Sequence, residues 1–134
     1  MEIQTDNPHD GYPFPCFSYD EHNSIVLNTA YIMSSSNVDV RYVLGVLNSS
    51  TGRMIARLYV TQLQERQYRM LAQYLANFPI PHCSDPLQEE ICSMVERRLR
   101  SSNLEVEDEI DRLVHKIYHF DNEEIKYIDN LNRD

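Results

Sequence analysis

Five arginines, and no lysine, form a basic stretch in the middle of this chain. Residues 39–84 carry Arg41, Arg53, Arg57, Arg66 and Arg69 against two acids, which leaves a net positive charge of three. A guanidinium can bind a phosphate or the edge of a guanine through two parallel hydrogen bonds, a geometry that lysine lacks. The stretch therefore indicates a local surface that a negatively charged partner could contact.

The rest of the chain is acidic. Residues 1–38 carry five acids and neither Lys nor Arg, residues 85–134 carry fourteen acids against seven bases, and the whole chain has a net charge of −9. Taken as one number, this charge argues against binding to nucleic acid, and only its uneven distribution leaves the middle as a candidate. The acids between Glu105 and Asp111 are expected to form a solvated helix face.

No motif in the sequence supports catalysis by this chain alone. Its three glycines form neither a phosphate-binding loop nor a dinucleotide-binding turn, and no Ser-His-Asp or Cys-His arrangement has supporting context. The cysteines, Cys16, Cys83 and Cys92, lack the spacing of metal ligands and indicate ordinary reduced thiols. We therefore expect no catalytic residue, no metal and no cofactor in this chain.

The elements that must position the arginines begin with a predicted pair of strands. Turn-forming residues in 1–15 predict a loop, and residues 14–19 and 24–33 are rich in the β-branched and aromatic side chains that favour strands. Residues 37–49 then predict an amphipathic helix. Its apolar residues, at the spacing i, i+3, i+4 and i+7, are Val40, Val43, Leu44 and Leu47.

The limits of this helix are also expected from local residues. Residues 34–37 should supply its N-cap, Asp39 should lie in its first turn, and Gly52 should break or cap it. Residues 60–77 stay ambiguous between helix and strand, because their composition favours helix while the prolines that follow require an extended backbone.

The second half predicts three helices, which carry cap signals and apolar stripes. The cap signals are Asp85, Pro86 and Gln88 for the first helix and Asp121 with Glu124 for the third, and the second helix covers about residues 104–118. The stripes are Leu87, Ile91, Met94 or Val95, and Leu99; then Val106, Ile110, Leu113, Val114 and Ile117; then Ile125, Ile128 and Leu131. Because each stripe must be buried, the helices must dock on one another or on the first half of the chain.

Four sequence segments occur in an order that is typical of one protein family. They are Leu47-Asn48-Ser49, the run LANFPIP from Leu75, the run LQEEI from Leu87, and the run IDRLVHKIYHFDNEEI from Ile110. Over about residues 25–130 they resemble the C-terminal specificity region of TaqI-like adenine-specific DNA methyltransferases and fused restriction-modification enzymes. Two departures are Phe120, where the family usually has Leu, and the absence of the family's cofactor-binding and catalytic motifs.

The resemblance implies a target-recognition module that binds duplex DNA and positions the target adenine for a separate methyltransferase or nuclease part of the protein. S-adenosylmethionine and Mg²⁺ would belong to that catalytic part. The family's variable stretch follows Leu-Asn-Ser, so the residues expected to contact DNA are Arg53, Arg57, Tyr59, Arg66, Tyr68 and Arg69. The alternative for each arginine is a solvated surface position, and for each tyrosine it is core packing. Asn48 and Ser49 are expected to fix the helix end through local hydrogen bonds.

The expected fold is α+β. Residues 1–84 would form a target-recognition α+β region, in which a small β-rich domain packs on a long helix that ends in Leu-Asn-Ser. Residues 85–134 would form a bundle of about three helices that packs on this region. The sequence shows neither a membrane span nor a secretion signal, so we expect a cytoplasmic location, and a homodimer is left open. The competing function is a protein–protein interaction or dimerisation module, in which the acidic helical tail docks a partner.

Overall fold

A computed structural model of the chain describes residues 3–7, 9, 13–28, 30–64 and 66–133. Within these residues, six helices and a small antiparallel sheet confirm the predicted α+β class. The strands are β1 (Ile3–Thr5), β2 (Thr61–Gln64) and β3 (Gln67–Arg69). The helices are α1 (Val40–Asn48), α2 (Ser50–Tyr59), α3 (Ala72–Leu75), α4 (Asp85–Arg100), α5 (Leu104–Ile117) and α6 (Asn122–Arg133). None of these helices combines the length and the apolar character that a bilayer-spanning segment requires.

The sheet brings the start of the chain next to residues 61–69. β3 lies between β1 and β2 and pairs antiparallel with each. Residues 60–77, left ambiguous by the sequence, therefore contain a hairpin and then the short helix α3. The backbone N–H of Asp6 donates to the carbonyl of Arg66 at 2.7 Å, which extends the β1–β3 pairing. The loop predicted for residues 1–15 is wrong at β1, and residues 1, 2, 8 and 10–12 lie outside the described part.

The predicted strands at residues 14–19 and 24–33 are wrong, because every described residue of both segments lies outside the strands. Ile25 is 97% exposed and Leu27 is 81% exposed. The backbone N–H of Ala30 donates to the carbonyl of Leu27 at 3.1 Å, so the chain turns at this point. A β-branched composition suits a sheet surface, but a strand also needs a neighbouring strand to bond with.

α1 begins and packs differently from the prediction. The carboxylate of Asp39 accepts a hydrogen bond from the backbone N–H of Arg41 at 2.9 Å, so Asp39 is the N-cap and not a first-turn residue. The buried residues of α1 are Tyr42, Gly45, Val46 and Leu47. The predicted stripe shares only Leu47 with this set, because α1 packs on two sides at once, against α4 and α5 on one side and against α2 on the other.

The larger apolar core lies between α1, α4 and α5. Its buried residues are Tyr42, Val46, Ile91, Cys92, Val95, Val106, Ile110, Leu113, Val114 and Ile117. Gly45 allows α1 to approach α4, since an added Cβ would lie 3.0 Å from Cγ2 of Ile91 and of Val95. The predicted stripe of α5 is confirmed at every position, whereas Leu99 of the predicted α4 stripe is 51% exposed. The division into residues 1–84 and 85–134 stays a prediction.

The predicted capping box is present at the start of α6 but not at the start of α4. At α6, Oδ1 of Asp121 accepts from the backbone N–H of Glu124 at 2.9 Å, and Oε2 of Glu124 accepts from the backbone N–H of Asp121 at 2.9 Å, which confirms the capping box. At α4 the predicted box is wrong, since Ser84 is the N-cap. The side-chain oxygen of Gln88 instead accepts from the backbone N–H of Asp39 at 3.3 Å, so Gln88 joins α4 to the start of α1.

A smaller apolar core lies beneath the sheet and α2. Its buried residues are Phe14, Leu47, Ile55, Ala56, Val60, Tyr68, Met70 and Phe78. Tyr68 is the member of this core that the sheet contributes, so the side of β3 that carries Tyr68 faces the core. The finer prediction, a β-rich domain packed on a long helix that ends in Leu-Asn-Ser, stays a prediction.

Candidate nucleic-acid interface

The sheet turns one face to the smaller core and the other to solvent. Paired residues of neighbouring strands point to the same side, so Gln4, Tyr68 and Gln62 share one face. Tyr68 is 8% exposed, and its ring centroid lies 4.9 Å from that of Phe14. We call the opposite side the outer sheet face. It consists of Ile3, Thr5, Thr61, Gln64, Gln67 and Arg69.

The outer sheet face is polar and carries one guanidinium. Ile3 is its only apolar member, and Arg69 and Gln64 are exposed. The pairing register shifts between Gln62 and Gln64, so β2 holds one extra residue, Leu63, as at a β-bulge. A bulge increases the local twist of a strand pair and redirects its side chains. Amide, hydroxyl and guanidinium groups on a twisted ribbon are groups that can bond to the edges of bases.

Asn48 fastens the segment before α1 to the end of that helix. Its side-chain oxygen accepts from the backbone N–H of Phe17 at 3.0 Å, and its side-chain nitrogen donates to the backbone carbonyl of Phe17 at 2.9 Å. The side-chain amide of Asn48 thus makes the two hydrogen bonds to the backbone of Phe17 that a residue of a neighbouring strand would make. The prediction of a local bond is wrong for Asn48, because its partner lies 31 residues earlier in the chain.

Ser49 separates α1 from α2 through its own hydroxyl. The hydroxyl donates to the carbonyl of Val46 at 2.7 Å and accepts from the backbone N–H of Gly52 at 3.0 Å, which confirms its predicted role at the helix end. The helix break predicted at Gly52 therefore lies at Ser49. Gly52 serves close approach instead, since an added Cβ would lie 2.3 Å from the carbonyl oxygen of Val46.

The carboxylate of Asp6 binds both arginines of α2, and we call these three residues the Asp6 cluster. Asp6 accepts from Nη2 of Arg53 at 2.5 Å and from Nε of Arg57 at 2.6 Å, and its side chain is 4% exposed. The same guanidiniums donate to the last turn of α6, Arg53 to the carbonyl of Asn132 at 3.1 Å and Arg57 to that of Leu131 at 2.7 Å. Because the last carbonyls of a helix have no partner within it, the two arginines cap α6.

Two further arginines of the basic stretch also hold the fold. Nε of Arg66 donates to the backbone carbonyl of Asp6, and Arg66 has a φ of 61°, in the left-handed region, within the hairpin turn. Arg41 binds the carboxylates of Asp39 and Glu96, and its guanidinium holds the pKa of Asp39 below the ordinary value. Much of the positive charge that the sequence places in the middle of the chain is therefore engaged internally.

A polar cluster joins the first residue of α2 to α5 and α6. The backbone N–H of Ser50 donates to Oδ1 of Asp111 at 2.8 Å, and its hydroxyl lies 3.3 Å from Nε2 of His115. The side-chain nitrogen of Asn132 donates to the carbonyl of Ser50 at 3.0 Å. In a hydrolase triad the histidine lies between serine and acid, whereas Asp111 bonds to the serine backbone. The cluster is built as a helix cap.

Comparison with known protein families identifies a family for this chain. The model of the TaqI-like C-terminal specificity domain matches residues 10–80, just over half of the 134-residue chain. The chain belongs to this family. Membership points to DNA recognition within restriction-modification enzymes. No solved structure matches the chain.

The match confirms the family inferred from the sequence, over a narrower range. The part assigned to the specificity domain contains Leu47-Asn48-Ser49 and the complete β2–β3 hairpin. The runs from Leu87 and from Ile110, which also carried the resemblance, lie outside the matched residues. For those helices the resemblance stays a prediction.

The specificity domain places the six predicted DNA contacts in different surroundings. Arg69 lies on the outer sheet face, Tyr59 is 44% exposed at the end of α2, and its ring centroid lies 6.4 Å from that of Phe78. Arg53, Arg57 and Arg66 meet around Asp6, and Tyr68 lies in the smaller core. Their contact with DNA stays a prediction.

Asp6 and Asp111, which lie outside the matched residues 10–80, have structural roles that the sequence did not predict. Burial raises the pKa of Asp111 above 3.8, against the opposing effect of the hydrogen bonds from Ser50, so Asp111 does not belong to the expected solvated face. A signal existed, because Asp111 precedes the buried residues Val114 and His115 by three and four positions and so shares their helix face. Asp6 gives no such signal, since its partners are distant in the sequence.

The three cysteines are unpaired, as predicted. Cys92 lies in the larger core, and burial raises its pKa to about 11. A thiol with a raised pKa is a poor nucleophile at neutral pH. Cys92 is therefore a packing residue of α4.

Proposed function

We propose that this chain is the non-catalytic DNA-recognition domain of a restriction-modification enzyme. The observation that carries the proposal is the family match, which includes the whole β2–β3 hairpin. The domain binds duplex DNA and positions the target adenine for a separate methyltransferase or nuclease part, and S-adenosylmethionine and Mg²⁺ bind in that other part. In this proposal Leu47-Asn48-Ser49 is the family's helix-ending signature, and the sheet packs on the helix that it ends.

The outer sheet face supports the choice of DNA surface. The major groove admits a two-stranded ribbon, and the exposed hairpin is such a ribbon. A glutamine amide can bond to two atoms of adenine, and an arginine can bond to two atoms of guanine or to a phosphate. Gln64, Gln67 and Arg69 supply these groups on one face.

The six predicted contacts then divide by exposure. Arg69 contacts DNA from the hairpin, and Tyr59 contacts it from the end of α2. Arg66 contacts DNA at the hairpin turn. Arg53 and Arg57 contribute by holding the sheet and α6 against α2, because Asp6 binds both guanidiniums. Tyr68 supports the hairpin from its inner face.

The first test replaces Arg69 with glutamine. We expect Arg69→Gln to weaken binding to mixed-sequence duplex DNA by roughly 5- to 150-fold, which corresponds to about 1–3 kcal/mol, because one guanidinium contact is lost. If that contact is to phosphate, the slope of log affinity against log salt should shrink by about 0.9. Fluorescence anisotropy of the full chain across a salt series measures both quantities.

The matched control is Arg100→Gln, which removes one exposed arginine from the last turn of α4. It carries the same change in net charge and should leave affinity and salt slope near those of the native chain. Equal losses in both variants would show that only net charge matters. If the native chain does not bind duplex DNA even at low salt, the proposal is contradicted directly.

A second test concerns base recognition. Gln64→Ala should relax the preference at one base pair by about 1–3 kcal/mol while leaving the salt slope unchanged, because an amide reads bases and carries no charge. Selection of binding sites from randomised duplexes, followed by titration of the selected sequence, measures this. Gln73→Ala, an exposed glutamine on α3, is the control and should preserve the selected sequence. Unchanged selection in both variants would remove Gln64 from the interface.

A further inference from the structure

An open groove lies between α2 and α6 and shares no residue with the outer sheet face. Its volume is about 400 Å³. The residues that line it are Met54, Phe120, Glu123, Glu124, Tyr127 and Ile128. The proposed DNA surface does not include this groove, and Ile128, Phe120 and Tyr127 belong to neither cluster of buried core residues.

The floor of the groove is apolar. Ile128 is 1% exposed, and the ring of Phe120 stacks on that of Tyr118 with centroids 5.3 Å apart and an angle of 9° between the planes. Tyr127 is 62% exposed, although it stands beside this floor. An exposed tyrosine above an apolar floor is typical of the residues that contribute most to protein–protein binding.

The rim of the groove is acidic. Glu123 and Glu124 are both exposed, and Glu124 also completes the capping box of α6. Residues 85–134, which include this rim, carry fourteen acids against seven bases. A partner with acidic flanks would be repelled, whereas one with basic flanks would gain attraction that adds to apolar burial.

We infer that this groove binds an amphipathic segment of a partner protein, with one or two large apolar side chains flanked by Lys or Arg. The apolar side chains lie against Phe120 and Tyr127, and the basic flanks lie near Glu123. The acidic rim attracts the basic flanks and the apolar floor accepts the apolar side chains, whether or not the outer sheet face binds DNA.

The probe is a labelled twelve-residue peptide of Leu and Lys in helical periodicity, titrated into the full chain and followed by fluorescence anisotropy. A peptide with Glu in place of Lys is its counterpart. We expect saturable one-to-one binding of the basic peptide and at least tenfold weaker binding of the acidic one. Tyr127→Ala should weaken the basic peptide at least fivefold, and Glu123→Gln at least twofold.

Two controls separate the groove from the general negative charge of the chain. Glu90→Gln makes the same charge change at an exposed position on α4, and Tyr31→Ala removes a tyrosine that is 44% exposed elsewhere. Neither should change affinity. Equal weakening by Glu90→Gln, unchanged affinity in Tyr127→Ala, or absence of saturable binding would overturn the inference. If sedimentation shows that the chain self-associates and that the peptide inhibits this self-association, the groove binds a second copy of the chain and the inference is overturned.

Discussion

The carboxylates of Asp6 and Asp111 are both withdrawn from solvent, but their neighbours differ. Asp6 faces the guanidiniums of Arg53 and Arg57, which neutralise it. Asp111 accepts a bond from a backbone N–H, and burial raises its pKa. A charged Asp111 therefore carries an unfavourable free energy in the folded state, and protonation relieves it.

This difference predicts a pH dependence at Asp111. Its folded-state pKa lies above 3.8, so the folded state binds the proton more tightly than the unfolded state does. As the pH falls through the raised pKa toward 3.8, the free energy of unfolding of the native chain should rise relative to that of Asp111→Asn. Below 3.8 the difference should be constant. Urea unfolding at a series of pH values measures it, and a difference that falls with acidification would reverse the assignment.

At the scale of elements, the junction of α1 and α2 depends on a glycine for space. Gly52→Ala should lower the free energy of unfolding by about 3 kcal/mol or more, because its Cβ would press on backbone carbonyl oxygens that cannot rotate away. Gly45→Ala is the comparison, since its Cβ would meet the side chains of Ile91 and Val95, which can adjust. It should cost about 1–3 kcal/mol. A smaller loss for Gly52→Ala than for Gly45→Ala in urea unfolding would contradict this ranking.

The elements that the sequence predicted well are those whose signals are local. α5 and the start of α6 follow from helical periodicity and a capping box, which involve neighbouring residues. The strand predictions are wrong because strand pairing depends on residues that are distant in the sequence. Residues 24–33 have a strand-like composition but no strand partner in the described chain, whereas the glutamine-rich β2 has β3 beside it. A sheet forms only where strands pair, and amino-acid composition alone does not specify which segments pair.

The candidate site shows the same division. The spacing of Arg53 and Arg57, four residues apart, puts both on one face of α2. It could not show that this face meets Asp6, which lies 47 residues before Arg53. Local charge counts therefore overstated how much positive surface is available.

At the scale of the whole molecule, the Asp6 cluster joins the first strand, α2 and the last helix. Asp6→Asn should lower the free energy of unfolding by about 3–5 kcal/mol, because two largely buried guanidiniums lose their counter-charge. Urea unfolding measures this loss. Asp129→Asn, the same chemical change at an exposed position of α6, should change stability by less than about 0.5 kcal/mol.

The same contacts give another reason to test DNA binding through Arg69 rather than through α2. Reversing the charge of Arg53 or Arg57 would place two carboxylates against each other at Asp6 and would also uncap α6. Loss of DNA binding in such a variant should therefore accompany unfolding, visible by circular dichroism. A folded variant that still fails to bind DNA would assign these arginines to the interface.

The Asp6 cluster brings the two ends of the described fold close together. Arg57 bonds to Asp6, close to the first described residue, and to Leu131, close to the last, so the two ends of the described fold lie within reach of a single side chain. A short peptide linker could close the fold into a ring. New termini could then open at the exposed segment around Leu27, outside both cores, to give a circular permutant with the same sheet and helices.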